Sequence, residues 1–184
     1  MPGIDPARAF RPLRIAVLTV SDSRTAADDR SGDLLVERLR GVGHELADRA
    51  LVPDEIDRIV ARLRQWIEDP AVEVVITTGG TGVTGRDVTP EAIAQVVDKP
   101  LPGFGELFRM ISFGKIGTSA LQSRATAGVA GDTYLFALPG SPGACRDGWD
   151  EILVHQLDSR FRPCNFAELL PRLGEQGPAG GSGR

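Results

Sequence analysis

The sequence predicts an α/β fold, a single three-layer domain with a mostly parallel sheet, helices on both faces and a short β-hairpin element. Three observations carry this expectation. Short apolar runs rich in β-branched residues recur along the chain, amphipathic stretches with helical spacing lie between them, and polar, glycine-bearing loops follow the apolar runs. Strand–helix alternation of this kind builds a parallel sheet covered on both sides.

"RIAVLTV" (Arg14–Val20) is the first apolar run and reads as a buried strand. "SGDLLVERLRGVG" then places Leu35, Leu39 and Val42 on one helical face and ends at glycine. "HELADRALV" (His44–Val52) is a second strand. "DEIDRIVARLRQWIED" spaces Ile56, Ile59, Val60, Leu63 and Ile67 for one face of a helix. "VEVVITT" (Val72–Thr78) is a third strand, and "TPEAIAQVVD" a helix with Thr89 as its expected cap and Pro90 at its first position. Two short strands follow, near Arg124–Val129 and Tyr134–Leu138. In the last helix, "GSPGACRDGWDEILVHQLD", the apolar face is Trp149, Ile152, Leu153 and Leu157.

At 184 residues, with 41% hydrophobic and 25% charged residues, the chain suits one soluble domain with a sizeable core. The folded part is expected over 13–170. Residues 1–12 hold three prolines and no periodicity, and 171–184 are Gly-rich, so both ends are expected to be flexible. A net charge of −4 disfavours a nucleic-acid binder. No apolar run approaches the roughly 20 residues of a membrane span, and the first residues lack the apolar core of a secretory signal. Cys145 and Cys164 have no metal-type spacing and make no disulfide framework, so the expected location is the cytoplasm.

The loops at strand ends hold the chemistry, because ligands of open α/β sheets bind there. "ITTGGTGVTGRD" (Ile76–Asp87) nearly fits two phosphate-binding templates. Gly80, Gly82 and Gly85 satisfy the dinucleotide pattern, but the helix starts too late and no ribose-holding acid follows at about 20 residues. Gly80 and Gly85 also have P-loop spacing, yet Arg86 and Asp87 stand where lysine and a hydroxyl belong. A carboxylate beside phosphate is favourable only with a cation between them, and magnesium accepts that arrangement. The loop therefore reads as a backbone N–H cradle for phosphate with Asp87 as metal holder, and Gly82 is expected where backbone meets phosphate. A ligand-free glycine turn is the alternative. "LPGSPGA" (Leu138–Ala144) offers a helix start capped by Ser141 and Pro142, suited to an anion. "VSDSR" (Val20–Arg24) brings Ser21, Asp22 and Arg24, and "LVPDE" brings Asp54, which would also serve as a helix cap.

"TTGGTGVTGRDVTPEAI" (Thr77–Ile93), "LPGFGELFRMISF" (Leu101–Phe113) and "ALPGSPGAC" (Ala137–Cys145), in that order, resemble the MoaB/MogA family of molybdenum cofactor biosynthesis, which includes the gephyrin G domain. The resemblance covers roughly Arg14 to Phe166, and "SALQSRATAGVAG" with "DSRFRPCNF" resembles the MoaB branch more than MogA. It implies binding of molybdopterin and transfer of AMP to it from Mg-ATP, with release of diphosphate. A MoeA-type molybdenum insertase would receive the product, and homotrimers or homohexamers are the family expectation. By the same resemblance Asp87 and Asp54 are the functional aspartates, with Asp87 linked to Mg2+. Thr78, Gly79, Gly80, Thr81 and Gly82 match one wall of the pocket for pterin and nucleotide, and Pro139, Gly140, Ser141 and Pro142 the other. A non-catalytic molybdopterin scaffold or carrier is the alternative function.

Adenylyl transfer brings two anions together, so it needs positioning and charge neutralisation rather than a catalytic triad. No Ser-His-Asp arrangement is read in the chain. Arg24, Arg86 and Arg109 are candidate phosphate contacts, whereas His44, His155, Trp66 and Trp149 read as structural.

Overall fold

The computed structural model describes residues 1–175. Strand β1 (Gly3–Ile4) precedes β2 (Arg14–Val20), helix α1 (Arg30–Gly41), β3 (Glu45–Val52), α2 (Ile56–Ile67) and β4 (Val74–Thr78). Next come α3 (Thr89–Ala94), β5 (Lys99–Pro100), α4 (Pro102–Ile116), a 3-10 stretch at Gly117–Gln122, β6 (Thr126–Ala130) and β7 (Thr133–Leu138). Helix α5 (Pro142–Gly148) runs through a π-helical stretch, Trp149–Leu153, into α6 (Val154–Gln156); β8 (Phe161–Arg162) and α7 (Phe166–Leu169) follow.

The main sheet has six strands in the order β3-β2-β4-β7-β6-β5. Pairs β2/β3, β2/β4 and β4/β7 are parallel; β6/β7 and β5/β6 are antiparallel. The expected hairpin is β6–β7, closed by Gly131 and Asp132, with Gly131 at φ +55°. A glycine first in a two-residue turn is what a tight hairpin favours.

Residues in the parallel strands alternate between two buried faces, so no polar face is needed. Ile15, Val17, Val74 and Ile76 pack with α1, α4 and α5; Ala16, Leu18 and Val75 pack with α2 and α3. Helix α2 buries Ile59, Val60, Leu63 and Trp66, and the Trp66 indole donates to Asp48 at 2.9 Å. Helix α1 buries Leu35, Val36 and Leu39, while Val42 falls past its end and is exposed, against expectation. Its cap is Asp29, which accepts from the Gly32 N–H at 3.0 Å. Thr89 does not cap α3, because its hydroxyl donates to the Gly79 carbonyl at 2.8 Å instead.

The first residues are tied down rather than loose. β1 pairs with β8, and Arg11 bonds Glu73 at 2.6 Å, so backbone and charge anchor a segment whose composition suggested flexibility. At the other end Leu170–Arg172 forms a helical turn and Leu173 packs on the core, so order extends past 170. Residues 176–184 of the expected flexible tail lie outside the described residues.

β2 has β3 on one side and β4 on the other, and the connections through α1 and α2 lie on opposite faces. This reversal opens a crevice at the carboxyl ends of β2 and β4, where such sheets take ligands.

Candidate functional site

A cavity of about 530 Å³ occupies that crevice. The loops after β2, β3, β4 and β7 contribute Ser21, Arg24, Asp54, Gly79, Gly80, Thr81, Gly82, Asp87, Pro139, Gly140 and Ser141 to its wall. Eleven expected residues thus meet in one place. Much of the remaining wall comes from α4, the 3-10 stretch and the residue after it, through Phe108, Ser112, Ile116, Ser119, Gln122 and Ser123, none of which the sequence reading placed there. A fifteen-residue helix with aromatics, glycines and small polar residues on several sides shows no clean apolar stripe, so periodicity gave no signal for it.

Backbone geometry fixes the glycine loop. Gly79 and Gly80 have φ of +104° and +66°, a region that side chains disfavour. A Cβ on Gly79 would lie 2.1 Å from the Val20 carbonyl oxygen, so this turn is packed against the end of β2. The Gly79 N–H donates to the Leu138 carbonyl, whereas the N–H groups of Gly80 and Thr81 find no acceptor among the described residues. Two free N–H groups in a cavity wall suit an anion.

Asp87 departs from the expected picture of Gly82. Its Oδ2 accepts from the Thr84 N–H at 2.9 Å and from the Thr84 hydroxyl at 2.7 Å. A Cβ on Gly82 would lie 2.6 Å from the same oxygen, so Gly82 makes room for the carboxylate of its own loop. Burial pushes the Asp87 carboxyl up, but the bonds from Thr84 and the Gly82 N–H outweigh it and hold it below the usual range. It is ionised at neutral pH.

Asp54 has the opposite balance. Burial raises its pKa, and the charges of Asp22 and Asp87 push the same way. The residue preceding α2 is Glu55, with no side-chain cap, so Asp54 does no capping. Its Oδ2 instead accepts from the Asp22 N–H at 3.0 Å, and the Asp54 N–H donates to Asp22 Oδ1 at 3.0 Å. Asp54 Oδ1 has no hydrogen-bond partner among the described residues and would sit 3.0 Å from a Cβ on Gly80.

Other expected contacts are turned elsewhere. Asp22 is held by Arg86 through two bonds of 2.8 Å, which removes both from direct service in the wall. Thr78 is buried, its hydroxyl donating to the Pro139 carbonyl at 3.0 Å. Pro142 opens α5, where Ser141 caps by accepting from Ala144. Arg109 spends its guanidinium on the carbonyls of Ser123 and Ala125. Arg24 does face the cavity and also donates to the Gly140 carbonyl at 2.5 Å.

A divalent cation fits this donor set. Asp54 and Asp87 are hard oxygen ligands whose mutual repulsion an ion between them would relieve. Among the described residues no three His, Cys, Asp or Glu side chains form a metal cage. Magnesium takes one or two carboxylates and completes its shell with phosphate oxygens and water. No helix among the described residues is long and apolar enough to cross a membrane.

A family model described as a probable molybdopterin binding domain matches residues 16–159. Molybdenum cofactor biosynthesis protein B of Escherichia coli (strain K12) is 51% identical over 163 residues, covering 89% of this chain and 96% of that protein. Its counterpart in Bacillus subtilis (strain 168) is 42% identical over 146 residues, covering 79% and 86%. A crystal structure of a molybdenum cofactor biosynthesis protein B matches with TM-score 0.83 at 38% identity, covering 92% of this chain and 100% of that one. The tungsten cofactor synthesizing protein MoaB from Pyrococcus furiosus matches at 0.74 and 33% identity, covering 91% and 100%. Order of motifs, sheet topology and relatives agree, and the chain belongs to the MoaB/MogA family of molybdenum cofactor biosynthesis proteins.

Proposed function

We propose that this protein binds molybdopterin and transfers AMP to its terminal phosphate from Mg-ATP, giving adenylyl-molybdopterin and diphosphate. The observation that carries the reading is Asp54. It is a carboxylate that caps nothing, lies in a cavity wall against like charge, and keeps one oxygen unpaired. A group left in so unfavourable a place is a functional candidate.

In this reading a terminal phosphate oxygen of molybdopterin attacks the α-phosphorus of ATP. The bond from that phosphorus to the bridging oxygen breaks, and diphosphate leaves with the electron pair. The free N–H groups of Gly80 and Thr81 bind phosphate oxygens, and Arg24 adds positive charge on the facing wall. Asp54 and Asp87 would hold magnesium, which when bound supplies charge neutralisation for the approaching anions. Phe108 and Ile116 give the cavity an apolar side for a pterin ring. The adenylylated product would pass to a MoeA-type insertase, from a homotrimer or homohexamer in the cytoplasm.

Purified protein incubated with molybdopterin and Mg-ATP tests the reading, with adenylyl-molybdopterin and diphosphate as the expected products. Molybdopterin binding without either product would overturn it in favour of a carrier.

A further inference from the structure

Arg124 stands at the junction of the two cavity walls. Its backbone N–H donates to the Thr81 carbonyl at 2.8 Å. Its Nε donates to the Gly82 carbonyl at 2.6 Å and its Nη2 to the Asp87 carbonyl at 2.5 Å, while Glu91 takes the outer edge of the guanidinium. Immediately before it, Gln122 and Ser123 belong to the opposite wall. The segment from Gly82 to Asp87 has little stiffness of its own, since two of its six residues are glycine. Its two ends are fixed by one planar, five-donor side chain. With the Gly82 carbonyl turned to Arg124, the loop closes so that Thr84 meets the Asp87 carboxylate. Arg109 braces the neighbouring carbonyls of Ser123 and Ala125 from behind, so the clamp itself rests on a fixed support.

We propose that Arg124 is a positioning residue that sets the Asp87 carboxylate and the glycine loop for reaction, by clamping the carbonyls of Gly82 and Asp87 to the wall that carries Gln122 and Ser123. Its consequence for turnover rests on the adenylyl-transfer reading; its hold on the loop does not.

The test uses the full chain carrying Arg124→Met or Arg124→Lys, the latter keeping charge but losing the planar fork. Turnover and KM for AMP transfer are measured together with amide hydrogen exchange at Gly82 and Thr84. Misplacing a catalytic group by about 1 Å costs on the order of 100-fold, so turnover should fall about 100-fold in Arg124→Met and about 30-fold in Arg124→Lys. KM for molybdopterin should stay within about threefold, and loop exchange should speed up at least about tenfold with the α2 amides unchanged. Unchanged exchange at Gly82 and Thr84 overturns the proposal, as does turnover within about threefold of the parent. If the parent transfers no AMP, the adenylyl reading has failed, and the exchange result alone decides whether Arg124 sets the loop.

Discussion

At the carboxyl edge of the sheet, a cavity of about 530 Å³ is walled by two carboxylates that repel each other and by N–H groups with no acceptor among the described residues. At the amino edge, a hollow of about 600 Å³ lies between the starts of β2, β4 and β7. There the buried carboxylate, Glu73, is paired, since it accepts from Arg11 at 2.6 Å and from the Arg14 N–H at 3.0 Å. A parallel sheet directs every carbonyl-end loop to one edge, and it is the convergence of four such loops around two repelling carboxylates, not volume, that sets that edge apart.

The strongest way to break this contrast is Asp87→Ala. It removes an ionised group from the working edge and should lower AMP transfer at least about 1,000-fold, as losses of a metal-holding or charge-stabilising group do. Molybdopterin binding, measured by fluorescence or calorimetry, should remain within about tenfold. Near-normal turnover at saturating magnesium would remove Asp87 from the chemistry.

Asp54→Asn sharpens the contrast between function and stability. The amide oxygen can still accept from the Asp22 N–H, and α2 loses no cap, since Asp54 provides none. Because burial and the Asp22 and Asp87 charges disfavour the ionised carboxyl, the variant should unfold at or above the parent temperature. AMP transfer should nevertheless fall roughly 30-fold or more, since the charge is lost. A fully active Asp54→Asn would leave Asp87 as the single essential acid.

A smaller effect is expected at Gly82. A methyl group there would crowd the Asp87 carboxylate, so Gly82→Ala should act through that carboxylate rather than through phosphate binding. The expected outcome is about a tenfold loss of turnover, with molybdopterin affinity nearly intact and a stability change of about 1 kcal/mol. A variant whose affinity falls as far as its turnover would restore Gly82 to the phosphate contact that the sequence suggested.

Gly82 shows where sequence reasoning stops. The order of strands and helices was legible because buried parallel strands are continuous apolar runs and α2 has a clean 3.6-residue period. The glycine loop was legible because its composition is costly anywhere but at a close approach. What the glycine approaches was not, since the partner is a side chain of the same loop folded back on it. Helix α4 and Arg124 escaped for a related reason. Their roles depend on which carbonyls and cavities lie beside them in space, and a lone arginine in "QSRATAG" has no spacing to betray a clamp. Asp54 was ambiguous between cap and functional acid until the actual start of α2 at Ile56 removed the capping role.

The amino edge yields the mildest test, one that leaves chemistry untouched. His44 is 4% exposed, beside Phe10 and Trp149, and its Nδ1 accepts from the Leu13 N–H at 3.1 Å. Burial pushes its pKa down to about 4 from the ordinary 6.5, outweighing the attraction of Asp158 and Glu73. The folded protein therefore keeps His44 neutral between those values, while the unfolded chain takes up the proton. Since the unfolded state binds more protons in that window, stability should be fully present above pH 6.5 and decline as pH falls towards 4. The fall attributable to this residue should reach at most about 3.5 kcal/mol, at roughly 1.4 kcal/mol for each unit between the two states. Urea unfolding of the parent and of His44→Gln, whose side-chain oxygen can still accept from Leu13, isolates the effect. The variant should show a smaller pH slope than the parent in that window, with AMP transfer at neutral pH unchanged. An equal slope in both proteins would mean that His44 protonates as readily in the fold as outside it.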